Sequence, residues 1–289
     1  MEPVWERPPG REAAQDRGEY AAPTVRSLLG EARTVIPLRE ARMLLRHVLG
    51  ISHAALEAHP EVKVSLQDTA AFRALAARRA EGCPIAYLTG RREFHGLAFQ
   101  VTPAVLIPRE ETELLVEIAV EKPVRRILDL GTGSGCLAIA VASELPQAQV
   151  TAVDASAAAL AVARENAARH GVAVRFLRGD WFAPLEGERF DLILANPPYV
   201  AENDPHLAQG DVRFEPRSAL AAGPDGLDDI RRIVAAAAAH LLAGGRLFFE
   251  HGYDQAQAVA ALLAQAGFVA IEQRRDLAGI PRVTGGARP

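Results

Sequence analysis

The sequence predicts an α/β protein: a mostly parallel sheet covered by helices on both faces, preceded by a small helical region. Three observations predict it. From residue 124 onward, short apolar runs alternate with longer helical stretches, the pattern of successive strand–helix–strand units. The first run, Ile127-Leu128-Asp129-Leu130, passes straight into Gly131-Thr132-Gly133-Ser134-Gly135, a glycine-rich turn that opens a helix. Residues 24–81 show 3–4-residue apolar spacing instead.

In chain order, residues 1–22 are rich in Pro, Gly, Glu and Arg with few large apolar side chains, the composition of a disordered tail. Residues 23–90 form a helical domain. Leu38, Ala41, Leu45 and Val48 recur at helical spacing and Gly50 marks a stop; Phe72, Leu75, Ala76 and Arg79 give a second stripe. Residues 91–103 read as a hairpin linker turning at Gly96. The last and largest domain, 104–289, opens with a helix at 110–121. Strands are predicted at 126–130, 150–153, 174–177, 191–195 and 246–250, with helices between them at 136–145, 157–170, 227–242 and 254–266. Segments 268–274 and 280–283 follow the last helix closely, as an antiparallel edge would.

The chain has 289 residues, of which 49% are apolar and 24% charged, as in a soluble globular protein. The longest low-polarity run, 233–245, is broken by His240 and is too short for a bilayer, so no membrane association is expected. No apolar leader is visible, and the two cysteines, Cys83 and Cys136, lack metal-ligand spacing. A reduced, cytoplasmic setting without a metal is expected. The net charge of −4 is uneven: residues 23–95 carry eleven basic against seven acidic residues, and residues 96–289 eighteen against twenty-four. A mildly basic region joined to an acidic one suggests that the former meets an acidic partner.

The functional signals lie where strands end. The glycine-rich turn is preceded by Asp129, and its sixth position is Cys136, where a dinucleotide fingerprint has Gly or Ala. A second acid, Asp154, ends the next strand nineteen residues after Gly135, where a carboxylate can accept both hydroxyls of a ribose. Asp180 and Trp181 end the third, where an adenine amine and ring face would be met. Ligands of such sheets bind at the carboxyl ends of the strands. An adenosine carrying a cationic amino-acid tail, S-adenosyl-L-methionine, suits these groups, because it has no pyrophosphate to cradle.

The fourth strand runs into Asn196-Pro197-Pro198-Tyr199. Two prolines donate no N–H and stiffen the turn, Asn adds a carbonyl acceptor, and Tyr a flat aromatic face. Two acceptors and a ring can hold a planar –NH2 group still.

With Pro84 to Gly90, Leu106-Ile107-Pro108-Arg109, Glu111-Thr112-Glu113, Asp129 to Gly135, Asp180-Trp181-Phe182, Asn196 to Tyr199, Phe214-Glu215-Pro216-Arg217, Glu250 to Gln255 and Asp276 to Gly279, the chain resembles a known family. These are the S-adenosylmethionine-dependent methyltransferases that modify the glutamine of peptide-chain release factors. The resemblance runs from about residue 25 to about 284 and departs at Glu110, where the family usually has Pro. It implies a Rossmann-like methyltransferase fold with a seven-stranded sheet and an antiparallel edge strand. It also implies methylation of the Gly-Gly-Gln glutamine, with release factors as partners recognised by the helical domain and a monomer as the expected form. Carried over, the cofactor residues fall on Gly131, Thr132, Gly133, Ser134, Gly135, Asp154, Trp181 and Asn196, and the substrate amide on Asn196, Pro197, Pro198 and Tyr199. Asn196, Pro197 and Tyr199 are the expected catalytic residues.

Two other readings compete. A nucleic-acid adenine methyltransferase uses the same tetrad on a flipped base, but it calls for a strongly basic groove, against the acidic balance of residues 96–289. A non-catalytic module that binds S-adenosylmethionine leaves the tetrad unexplained. Three further residues have open roles: His251 near the cleft or structural, Arg109 on substrate or on a helix carbonyl, and Glu215 orienting Arg217 or the Asn196 loop.

Overall fold

The computed structural model describes residues 22–289; the predicted tail lies almost wholly outside them. The described residues divide into two compact units, one ending at Ala77 and the other beginning at Arg78.

In the first unit, α1 (Val25–Ala32), α2 (Leu38–Leu49) and α3 (His53–Ala58) precede α4 (Leu66–Ala80), which runs across the division between the units. Local chemistry sets their ends. Thr24 and Ser27 cap α1 reciprocally, each side chain accepting from the other's backbone N–H. Gly50 ends α2 in the left-handed conformation, at φ 67°. Leu28, Leu44, Leu45, Leu56 and Phe72 are buried and form the core of this unit.

In the second unit, α5 (Ile85–Thr89) leads into a hairpin of β1 (Arg91–Phe94) and β2 (Leu97–Gln100). His95 and Gly96 both have positive φ, as a two-residue turn matched to strand twist requires. Phe94 and Phe99 drive this hairpin into the core of the same unit. A 3₁₀ turn, Glu110–Thr112, precedes α6 (Glu113–Val120), where the sequence suggests one continuous helix.

The sheet is built from β3 (Arg126–Leu130), β4 (Gln149–Asp154), β5 (Val174–Arg178), β6 (Phe190–Ala195), β7 (Leu241–Glu250), β8 (Val269–Arg275) and β9 (Pro281–Ala287). Its order is β5-β4-β3-β6-β7-β9-β8. The first five in that order are parallel, and β9 runs antiparallel to both β7 and β8, which makes the expected antiparallel edge. The predicted helix at 227–242 is shorter: α9 (Asp228–Ala237) gives way to a 3₁₀ turn, and Leu241 already pairs with Phe190. Strand pairing in a buried sheet overrides the helix preference of the alanine-rich stretch.

Two-fold alternation assigns the faces. Ile127, Leu192, Leu194 and Phe248 join a core under α6, α7 (Cys136–Glu144) and α8 (Ala157–His170). Leu128, Leu130, Ile193, Ala195 and Phe249 join the opposite core under α9 and α10 (Ala256–Gln265). The register also aligns the strand ends. Leu130 pairs with Val153 and Ala195, and Ala195 with Phe249. Gly131, Asp154, Asn196 and Glu250 each follow one of these residues, so they share one rim. Among the described residues no helix is long and apolar enough to cross a membrane.

Candidate active site

The turn after β3 needs its glycines. Gly131 (φ 76°) leaves room for Trp181, whose ring atom Cζ3 would lie 3.3 Å from a Cβ there, with the Asn196 carbonyl oxygen at 3.9 Å. Gly135 (φ 81°) begins α7, and a Cβ would come within 2.9 Å of Ile139 and 3.0 Å of Ala163. Nothing lies within 4 Å of a Cβ at Gly133, so the turn is open to a ligand at that point. The turn itself hangs on β4 through Gly131 N and Thr132 N, which both donate to the Val153 carbonyl.

The acids differ in their surroundings. Asp129 is buried and accepts from Thr132 Oγ1 at 2.6 Å. Burial, chiefly, pushes its carboxyl up from 3.8 to about 7. Asp154 accepts from Gly133 N and from Ser156 N, both at 2.8 Å, so it joins the glycine-rich turn to the start of α8. Asp180 stands apart. Its side chain is 62% exposed and its carboxylate is taken by Arg232 of α9. Its neighbour Trp181 has the opposite fate: held at φ 47°, it covers Gly131 and buries an Nε1 with no hydrogen-bond partner. Ser134 Oγ is likewise buried and unpartnered. An open glycine turn, an acid bound to its backbone, an aromatic wall and two orphaned polar atoms fit an adenosine with an amino-acid tail.

The tetrad sits beside this cradle. Its backbone is pinned from outside: Tyr199 N and Val200 N donate to the Leu220 carbonyl at 3.1 and 2.8 Å, and Gln255 Nε2 donates to the Tyr199 carbonyl at 2.9 Å. Pro197 is buried, while Asn196, Pro198 and Tyr199 are half-buried. Asn196 Nδ2 donates to Thr112 Oγ1 at 3.0 Å. Thr112 in turn donates to Glu250 Oε2, and Tyr199 Oη donates to Glu250 Oε1 at 3.1 Å. Glu250 and Thr112 are almost fully buried. Desolvation, first of all, lifts the Glu250 carboxyl from 4.5 to about 7, against the pull of its two donors. Tyr199 is raised by its own burial and then by that carboxylate. A cleft lined by Pro108, Arg109, Thr112, Asp129, residues 131–134 and Asn196 brings the cradle and the tetrad together.

Three open residues are placed. His251 is fully buried, with Nδ1 2.8 Å from the Gly252 carbonyl and Nε2 2.7 Å from Thr284 Oγ1; both ring nitrogens are spent on structure. Glu215 holds Arg109 and accepts from Ile107 N at 2.9 Å, whereas Arg217 donates to the Glu202 carbonyl. Glu215 thus anchors the segment that carries Thr112. Thr112 and Glu250 lie in stretches that carry the family resemblance, but the sequence assigned neither a role in the site. The available signal was a charged residue ending the apolar run Leu247-Phe248-Phe249.

Residues 24–90 match the PrmC N-terminal domain family, and residues 110–213 the methyltransferase small domain family. The release factor glutamine methyltransferase of Bordetella pertussis is 56% identical over 256 residues, covering 87% of this chain and 95% of that protein. This chain belongs to the release factor glutamine methyltransferase family. The Escherichia coli member is 44% identical over 86% of this chain and 91% of its own length. Among solved structures, a Pyrococcus furiosus methyltransferase aligns with TM-score 0.53 at 17% identity, over 67% of this chain and 89% of that one. A T. thermophilus 16S rRNA methyltransferase in complex with AdoMet and guanosine aligns at 0.50 with 24% identity, over 69% and 50%. These two likenesses concern the fold.

Proposed function

We propose that this chain methylates the side-chain amide nitrogen of the glutamine in the Gly-Gly-Gln motif of a peptide-chain release factor, with S-adenosylmethionine as donor. The observation that carries the reading is the Asn196 carboxamide, held by Thr112 at the end of β6 beside the open glycine turn. Bound there, S-adenosylmethionine would supply an electrophilic methyl group, with Asp154 holding its ribose, Trp181 its adenine, and Asp129 with residues 131–135 its amino-acid tail.

The chain's own residues deal with a poor nucleophile. An uncharged amide nitrogen has little basicity, so it must be aligned, and positive charge developing on it must be met by fixed dipoles. The Asn196 side-chain oxygen and the Pro197 carbonyl accept its two N–H groups, and the Tyr199 ring lies against the amide plane. No dedicated base is required, since an N-alkylated, protonated amide is strongly acidic and releases its proton to water. Family membership supports the substrate, and the basic balance of residues 23–95 supports the helical unit as the second contact that selects the protein.

The test is incubation of the enzyme with radiolabelled S-adenosylmethionine and a release factor, beside a factor whose Gly-Gly-Gln glutamine is replaced by alanine. Label on the first and none on the second is expected. Equal label on both, or label on neither, overturns the reading.

A further inference from the structure

We propose that Thr112 and Glu250 are positioning residues that decide which end of the Asn196 carboxamide meets the substrate. The inference rests on the reading of Asn196 as the group that holds the target amide.

The protons available to this network set the orientation. An ionised carboxylate only accepts hydrogen bonds, and a threonine hydroxyl has one proton to give. Glu250 accepts a hydrogen bond from Tyr199 at Oε1 and another from Thr112 at Oε2. Thr112 has then spent its donor and can only accept from Asn196. Asn196 must turn its Nδ2 toward Thr112, at 3.0 Å, which turns Oδ1 the other way. The substrate –NH2 is a donor and needs that oxygen. Presented the other way round, the Asn196 amide would set donor against donor.

A proton on Glu250 removes this bias. The carboxylic acid can donate to Thr112 Oγ1, the hydroxyl proton becomes free to point at Asn196, and either end of the carboxamide is then satisfied. The charge on Glu250 therefore fixes the orientation. The groups around it act in both directions: Glu111 disfavours the charge, and Arg109 favours it together with the Thr112 and Tyr199 donors. Cys136, at the start of α7, is raised by burial and stays a thiol, and buried His251 is lowered and stays neutral. Arg282 of β9 acts on Tyr199 as a further cation. Asp129, buried on β3, is a second carboxyl raised into the same range, so the pH readout compares the enzyme with a variant altered only at Glu250.

The experiment uses the full chain with labelled S-adenosylmethionine and a release factor, and compares Thr112→Val, Thr112→Ser, Glu250→Gln, Asn196→Ala and the Asn196→Ala/Thr112→Val pair. Tm and calorimetric cofactor affinity monitor folding. Thr112→Val is expected to lower kcat about 10- to 100-fold, a loss of the size caused by misplacing a charge-stabilising group, with cofactor Kd changed less than about 2-fold. Thr112→Ser keeps the hydroxyl and should recover to within about 3-fold. Adding Thr112→Val to Asn196→Ala should cost nothing further, because the two act through one atom. The rise of kcat/KM through about pH 7 should lose its Glu250 limb in Glu250→Gln, a readout that stands even if Val at 112 unfolds the chain. A wild-type kcat in Thr112→Val, a multiplicative loss in the double variant, or an unchanged pH limb in Glu250→Gln overturns the proposal. Full turnover by Asn196→Ala removes the underlying reading and this inference with it. Loss in Asn196→Ala alone removes only the inference.

Discussion

Tyr199 Oη lies 3.1 Å from Glu250 Oε1, so the last residue of the tetrad is bonded to the last residue of the adjacent strand, β7. Because Glu250 also accepts from Thr112, one buried carboxylate ties together β7, the tetrad and the turn before α6. The rigidity of the tetrad thus comes from two sources, the prolines within it and a side-chain network across the sheet rim.

Tyr199→Phe keeps the ring and deletes one donor to a buried carboxylate. Leaving a buried group less satisfied costs about 1–3 kcal/mol, which urea denaturation reads directly. Loss of a donor to the charged form also raises the Glu250 carboxyl further. The pH limb of activity should move to higher pH while cofactor affinity stays constant. A stability equal to wild type would show that the phenol is solvated.

Glu250→Gln should flatten the dependence of stability on pH. The folded-state carboxyl, at about 7, lies above its ordinary 4.5. Its stabilising contribution is therefore complete below about pH 4.5 and is lost as pH rises through 7. At about 1.4 kcal/mol per unit this is of order 3 kcal/mol. Asp129, raised from 3.8 to about 7, slopes the same way and remains in the variant. Unfolding free energies at pH 5 and pH 8 should differ less in Glu250→Gln than in wild type, and equal differences contradict the assignment.

Two glycines of one turn should fail differently. Gly135→Ala meets Ile139 at 2.9 Å and Ala163 at 3.0 Å and carries a side chain at φ 81°. Overpacking and left-handed strain together should cost about 2–4 kcal/mol. Gly133→Ala meets nothing within 4 Å at φ 56°, so only the backbone cost of about 1–2 kcal/mol applies. Its larger effect should be on cofactor affinity, because the open face of the turn gains a methyl group. Thermal melts with and without cofactor separate the two: the first variant melts low in both, the second loses mainly the ligand-induced rise.

What was legible in the sequence was local. The glycine turn, the acids after it and the tetrad each occupy a few contiguous residues whose backbone needs are written in Gly and Pro. The central strands β3, β4, β6 and the second half of β7 were legible because both faces are buried and they read as nearly continuous apolar runs. What was not legible depends on distance along the chain. Thr112 and Glu250 are 138 residues apart, and Asp180 and Arg232 are 52 apart; no periodicity links them. Asp180 shows the consequence, since its place at a strand end says nothing of the arginine that takes its carboxylate. The start of β7 was hidden for another reason: Ala235 to Ala239 favour helix, and only pairing with Phe190 turns Leu241 into strand.

Arg109 should matter through the charge it leaves behind. The Glu215 side chain is fully buried and has two donors, Ile107 N at 2.9 Å and the partly exposed Arg109 guanidinium. Arg109→Ala strands a buried carboxylate with one donor. Breaking a buried pair from one side costs about 3–5 kcal/mol, and the exposure of Arg109 reduces this toward about 2–3. Glu215→Gln added to Arg109→Ala keeps an acceptor for Ile107 N and removes the stranded charge, so the double variant should be more stable than Arg109→Ala alone. Because Leu106, Pro108 and Thr112 line the cleft on the segment that Glu215 anchors, the single variant should also raise the KM for cofactor, and the double variant should recover part of it. Urea denaturation and cofactor titration on the three proteins test both statements. A double variant less stable than Arg109→Ala would mean that Glu215 acts through shape and not through charge.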